Sequence, residues 1–263
     1  MLKQCELNEV FYSASIREII DNEHSIQETI KRIKRGDALI IRSLYSEDLL
    51  NRICNYLSDI AKCSLPYYQK IEEGCANNHR VVSWDPRSYT QACFHQFSFF
   101  PWNQDVFNLF EKAAPVFQLK NLLSGLPANK FLGTESEDGC ISRLSFHFYP
   151  SGLGAMNKHR DPVDTHQLTV PLMLMNKKGR DYIAGGGFAE RSDGSKVYFD
   201  NLMEPGDILF LNARVPHGVD LIDPETKNSN FINDKGRWTT IFAVNKLHGN
   251  KNISNAIDLE RSD

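Results

Sequence analysis

The chain has 263 residues, of which 41% are hydrophobic and 24% charged, with a formal net charge of -3. That composition is ordinary for a globular protein and excludes a disordered tail protein or a membrane-embedded chain. At about 100 to 200 residues per domain, the length permits one large domain or two small ones. The 30 basic residues are dispersed apart from "KRIKR" at Lys31 to Arg35, so nucleic acid is not expected as a partner. No apolar run approaches the roughly 20 residues of a membrane span, and no membrane partner is expected. The opening residues "MLKQCELNEVFYSAS" lack an apolar segment followed by a small-residue cleavage site, which predicts a cytoplasmic protein. Cys5, Cys54, Cys63, Cys75, Cys93 and Cys140 form no C-x-x-C pair and are expected to be reduced thiols.

In chain order, "SIQETIKRIKRG" carries helical periodicity through Ile26, Ile30 and Ile33, with the basic cluster on its solvated face. "DALIIRSL" reads as a strand, and "SEDLLNRICNYLSDIAKC" as a helix capped by Ser46. From Tyr67 to Trp102 the pattern dissolves, which suits a long loop with at most short strands and a lid role for Arg80, Trp84, Arg87, His95 and Trp102. A helix from Gln104 to about Leu123 follows.

After Cys140 the texture turns to strands. "ISRLSFHFYP" alternates, placing Arg143, Ser145, His147 and Tyr149 on one face and Leu144, Phe146 and Phe148 on the other. "HQLTVPLMLMN", "GGGFAE", "SKVYFDNL", "GDILFLNA" and "RWTTIFAVN" supply further strands between turn signals. With no repeat or linker, one α+β domain over residues 1–263 is expected, with a helical portion 1–135 and a β-sandwich or barrel core at 141–246. "SGLGAMN" lacks the third glycine and the following helix of a phosphate loop.

The chemistry concentrates in "NKHRDPVD". Alternate residues of an extended chain point to one side, so His159 and Asp161 converge. His217, after the turn "EPGD", completes two histidines and one carboxylate, the donor set of non-haem Fe(II) oxygenases. Zinc more often takes a fourth protein ligand or a third histidine. Arg237 shares a strand face with Thr239, and a buried guanidinium needs an anion, for which its planar fork suits a carboxylate.

The order H-x-D, Gly-rich strand, "PGD", distal His and R-x-[ST] resembles the Fe(II)/2-oxoglutarate-dependent dioxygenases across Ile141 to Val244. The amino-terminal helices and "DALIIRSLYSEDLL" look like phytanoyl-CoA-hydroxylase-like members. The resemblance implies a double-stranded β-helix, or jelly roll, with amino-terminal helices packed on one sheet. It makes His159, Asp161 and His217 the iron ligands and Arg237 with Thr239 the clamp for the distal carboxylate of 2-oxoglutarate, His147 and Thr169 joining that co-substrate site. Arg214 is the weaker clamp, considered because the loop "DPETKNSNFINDKG" lengthens the usual His-to-Arg interval. Asp161 speaks against halogenation, since related halogenases replace that carboxylate by a small residue.

The implied cofactors are Fe(II), 2-oxoglutarate and O2, and the implied reaction hydroxylates a free small molecule, an amino acid or natural-product intermediate, with release of succinate and CO2. Arg143, Tyr149, Trp84, Arg80 and His95 are the candidate substrate contacts. Arg160 is expected to point away from the ligands, and His166 and Gln167 are ambiguous. The alternatives are a protein or peptide hydroxylase, and a cupin-like metal-binding module without turnover, which has no reason to keep Arg237 and Thr239. Oligomeric state is not legible.

Overall fold

A computed structural model describes residues 5–162, 164, 166–227 and 235–261. Strand β1 (Val10–Ser13), helices α1 (Ile16–Ile20) and α2 (Glu23–Lys34), strand β2 (Ala38–Ile41) and helix α3 (Glu47–Cys63) come first. Strands β3 (Asn78–Ser83) and β4 (Ala92–Phe99) precede helix α4 (Leu109–Leu123). Then come β5 (Cys140–Pro150), β6 (Ala155–Arg160), β7 (Leu172–Leu174), β8 (Gly186–Glu190), β9 (Lys196–Tyr198), a 3-10 turn Phe199–Asn201, β10 (Ile208–Phe210), β11 (His217–Asp220), β12 (Gly236–Lys246) and β13 (Ile257–Asp258).

The helices form where local chemistry directs. Asn22 and Ser46 cap α2 and α3 by accepting the Ser25 and Leu49 amides. Ile26 and Ile33 are buried on one face of α2, while Arg32 and Arg35 of the basic cluster bind the Asp37 carboxylate. Helix α4 starts at Leu109 rather than Gln104 because Asp105 accepts the Phe107, Leu109 and Phe110 amides and so fixes its first turn.

The strands form one hydrogen-bonded path, β1-β2-β10-β7-β12-β5-β4-β6-β11-β8-β9, with β3 on β4 and β13 on β6. Its spine is the antiparallel β5–β12 ladder, paired from Gly236↔Pro150 to Lys246↔Cys140. Strand β4 turns the path over: His95 to Phe99 pair with β5, while Ala92 and Cys93 pair with β6. The sheet thereby curls into two layers, β1-β2-β10-β7-β12-β5 and β6-β11-β8-β9, the jelly-roll arrangement expected. The amino-terminal portion carries more sheet than the one strand and the loop with short strands expected there. Residues 78–99 are a hairpin within the sheet, and β4 is buried along its whole length, so burial on both faces erased the alternation that would have marked it.

On β5 the two faces separate as read. Leu144, Phe146 and Phe148 join Phe97, Phe99, Trp238 and Phe242 in the main core with α2, α3 and α4. The opposite face turns Ser145, His147 and Tyr149 between the layers, where Tyr149 packs with Phe94, Tyr182 and Val219. Among the described residues no helix is long and apolar enough to cross a membrane, and none of the six cysteines forms a disulfide.

Two core positions give tests. Phe117 of α4 is 0% exposed and meets Phe242 edge-on, so Phe117→Ala should cost about 3 to 5 kcal/mol in urea denaturation. Lys120 on the same helix is fully buried, its ammonium reaching among the described residues the His166 carbonyl at 3.4 Å, and burial pushes its pKa down to about 7. The unfolded chain therefore binds more protons than the native one between pH 7 and the ordinary lysine value, and stability rises with pH across that window. Lys120→Met should raise the melting temperature at pH 7 and flatten that slope.

Candidate metal and co-substrate site

His159 lies near the end of β6, Asp161 just beyond it, and His217 opens β11. The β6–β11 ladder places His217 directly opposite His159, with the ring centroids 4.3 Å apart. Asp161 is held by its own amide, which donates to the Ala213 carbonyl, so its carboxylate returns to the same point. His217 Nε2 lies 3.3 Å from Asp161 Oδ2, and His159 Nε2 lies 3.8 Å from Oδ1. One ligand atom from each residue falls within 4.8 Å of the other two.

Both rings are fixed from behind in the same way. His159 Nδ1 is 2.8 Å from the Asn157 carbonyl and His217 Nδ1 is 2.8 Å from the Val215 carbonyl. A carbonyl only accepts, so Nδ1 carries the proton and Nε2 presents its lone pair inward, as a metal ligand requires. Burial, followed by His217, pushes His159 down to about 4, which keeps it neutral. Burial alone would also lower His217, but Asp161 outweighs it and raises that imidazole. Burial would raise Asp161, and His217 outweighs that in turn, holding the carboxyl below its ordinary value. The donor set fits a divalent metal with open positions on its far side.

Arg237, the second residue of β12, is buried, 2% exposed, between the layers. The anion it meets belongs to the protein. Nε and Nη2 bind the two oxygens of Asp200 at 2.7 and 3.0 Å, a bidentate pair that uses two of the three guanidinium nitrogens. Tyr182 donates its hydroxyl and Gly187 its amide to the same carboxylate. Burial would lower Arg237, but Asp200 overrides it and holds the guanidinium charged. Asp200 is the functional residue that sequence reading missed, since it sits inside "SKVYFDNL", which reads as a strand. The glycine-rich strand has its reason here. A Cβ at Gly186, where φ is +119°, would lie 2.3 Å from Asp200 Oδ2, and one at Gly187 would lie 2.8 Å from Arg237 Nη2.

The other sequence candidates scatter. Thr239 donates to the Met173 carbonyl, and its cross-strand neighbour is His147. His147 is buried against Phe94, within reach of Ser145 and Tyr149, and burial followed by Arg143 lowers its pKa far enough to keep it neutral. Tyr149 leans beside Arg237, whose guanidinium carbon is 5.7 Å from its ring. Thr169 is buried with its hydroxyl unpartnered. Arg80 and Arg143 reach the same polar face as His147.

His95 does not reach it, because it points to the aromatic side of β4 and stacks near His79 and Phe148. Trp84 stands 51% exposed at the end of β3, Arg87 pairs with Asp85, and Trp102 donates to the Cys75 carbonyl. Arg214 lines a surface cleft with Cys5 and Lys34, away from Arg237, and Arg160 is half-buried beside the ligands. His166 and Gln167 are buried with His166 Nδ1 and Gln167 Oε1 unpartnered. Much of the polar loop before Arg237 lies outside the described residues.

Solved structures share this architecture. A putative oxygenase from Shewanella oneidensis matches at a TM-score of 0.54 and 12% identity, over 92% of this chain and 90% of that one. A full-length Neurospora crassa protein, solved in complex with alpha-KG and thymine, matches at 0.54 and 10% identity, over 95% of this chain and 89% of that one. EvdMO1 matches at 0.51 and 12% identity, over 83% of this chain and 49% of that one. The chain has the fold of the Fe(II)/2-oxoglutarate oxygenases. No family model matches the sequence, and no curated protein matches it.

The ion pair can be tested by itself. Asp200→Ala leaves a buried guanidinium uncompensated and should cost about 3 to 5 kcal/mol in urea denaturation. The double variant Asp200→Ala with Arg237→Met should recover most of that loss, and no recovery would mean Asp200 stabilises chiefly through Tyr182 and Gly187.

Proposed function

We propose that the protein is an Fe(II)- and 2-oxoglutarate-dependent oxygenase that oxidises a free small molecule and releases succinate and CO2. The observation that carries the reading is the convergence of His159, Asp161 and His217, both imidazoles backed by carbonyls, between the layers of a jelly roll.

When bound, the iron and co-substrate supply the oxidising chemistry; the residues supply place and charge. His159, Asp161 and His217 would hold the metal on one side only and leave the opposite side for co-substrate and O2. Arg237 lies on the strand beside Thr239 and next to Tyr149, the polar end of the interior, and would receive the distal carboxylate of 2-oxoglutarate. Sharing the guanidinium with Asp200 makes that contact weaker than an undivided clamp would give. His147, neutral and buried, offers hydrogen bonding without adding charge. The phytanoyl-CoA-hydroxylase-like subgroup and a cytoplasmic location remain expectations of this reading.

Anaerobic addition of Fe(II) and 2-oxoglutarate should produce a visible metal-to-ligand charge-transfer band. His159→Ala should abolish it, and Arg237→Met should raise the 2-oxoglutarate concentration needed for half-maximal absorbance by tenfold or more. Wild-type protein that shows no band is not such an oxygenase.

A further inference from the structure

The polar face that runs past the candidate metal site carries more positive charge than the described residues neutralise. Across the strands the register aligns Arg80 with Gln96, Gln96 with His147 and His147 with Thr239. Arg143 lies further along β5 on the same alternation. Arg80 donates through Nε to Gln96 Oε1 at 2.9 Å, and Gln96 is anchored in turn on Ser98, so this guanidinium is aimed rather than loose.

Arg143 has no such support. Its Nε is buried without a partner, and among the described residues no hydrogen bond or ion pair reaches its side chain. Its environment is set by burial first, then by the like charge of Arg80, with Asp161 opposing; together they bring its pKa down to about 10. A guanidinium whose Nε is buried without a partner, beside a second cation, is costly unless an anion compensates it.

The balance of charge says which ligand. Arg237 is already neutralised by Asp200, and the three imidazoles His147, His159 and His217 add none when neutral or metal-bound. Set an iron dication against Asp161, and a dianionic 2-oxoglutarate against what remains of the dication, Arg80 and Arg143. Asp85, which also acts on Arg80, is paired with Arg87 and cancels it, so one positive charge is left over beside the candidate metal site.

We infer that the substrate is an acid whose carboxylate docks on Arg143 and Arg80, the guanidinium fork of Arg143 taking its two oxygens while Arg80 closes from β3. The inference rests on the oxygenase reading for its charge balance and narrows that reading from small molecules at large to carboxylates. Arg143 and Arg80 are both half-buried, so neither side chain is wholly sealed from solvent. The arginines position and select the substrate; they do not touch the bond being oxidised.

The test pairs free amino acids and aliphatic and aromatic monocarboxylates with their methyl esters or amides. Each is titrated by calorimetry into metal-free protein, and by perturbation of the charge-transfer band into the anaerobic Fe(II) and 2-oxoglutarate complex. Acids should bind and their esters or amides should not. Arg143→Gln should weaken the binding acids at least tenfold and Arg80→Gln severalfold, with the 2-oxoglutarate titration changed less than threefold in both. Arg143→Gln should also melt no lower than wild type, because it removes an unpaired buried cation; should it fail to fold, Arg80→Gln decides.

Equal binding of acids and esters overturns the proposal, as does binding by no acid in either format. So does an Arg143→Gln defect confined to 2-oxoglutarate, which would make that arginine a co-substrate contact. Absence of the band in wild type alongside Arg143-dependent binding of acids to metal-free protein would remove the oxygenase reading and leave the carboxylate site standing.

Discussion

The buried pair of Arg237 and Asp200 organises the interior. Arg237 comes from the spine strand β12 and Asp200 from the turn after β9, so their contact ties the two layers of the jelly roll together at one end. Neither charge could remain there alone, since removing an ion from water into a protein interior costs several kcal/mol. The contact dictates residues around it. Gly186 and Gly187 must lack side chains, Tyr182 must turn its hydroxyl to Asp200, and burial with the nearby charge pushes that phenol well above its ordinary pKa. At the other end of the same face lie Arg143 and Arg80, whose opposing charges among the described residues are Asp161, a candidate metal ligand, and Asp85, already paired with Arg87. The interior is thus polarised along β5, self-neutralised at Tyr149 and cationic at Arg143.

The candidate metal site draws its precision from backbone rather than from side-chain packing. Its two histidines are cross-strand partners, their Nδ1 atoms anchored on carbonyls two residues back in each case. Strand β6, which carries His159, is short and flanked by the carboxy-terminal strand β13, whose Asp258 pairs with His159 in register. The Asp258 carboxylate accepts the Gln91 amide and the Asn157 side chain, joining the loop before β4 to the residue whose carbonyl orients His159. A chain of contacts therefore runs from the last strand to the imidazole of His159.

What was legible in the sequence followed periodicity and local motif. The alternation of "ISRLSFHFYP" showed which side of β5 faces the helices and which faces inward, because one side is aromatic and the other polar. His159, Asp161 and His217 could be assembled because spacing two on a strand and a turn before a distal histidine are local signals. Strand β4 was illegible because both its faces are buried, leaving no alternation to read. Asp200 was illegible for another reason: it lies 37 residues from Arg237, and nothing near it announces a partner. His95 was drawn toward the site by its residue type alone, and one position of register turned it to the aromatic side.

That missed partner changes what the arginine says. Read alone, a buried Arg237 demands an external anion, and the distal carboxylate of 2-oxoglutarate answers the demand completely. With Asp200 in place the demand is met before any ligand arrives, so the arginine no longer proves that a co-substrate must bind. The unanswered demand lies at Arg143, whose Nε is buried without a partner and whose opposing charge, Asp161, belongs to the candidate metal site. Electrostatic completeness, rather than sequence motif, therefore points to where a ligand is still required, and it selects an anion on the substrate side of the site.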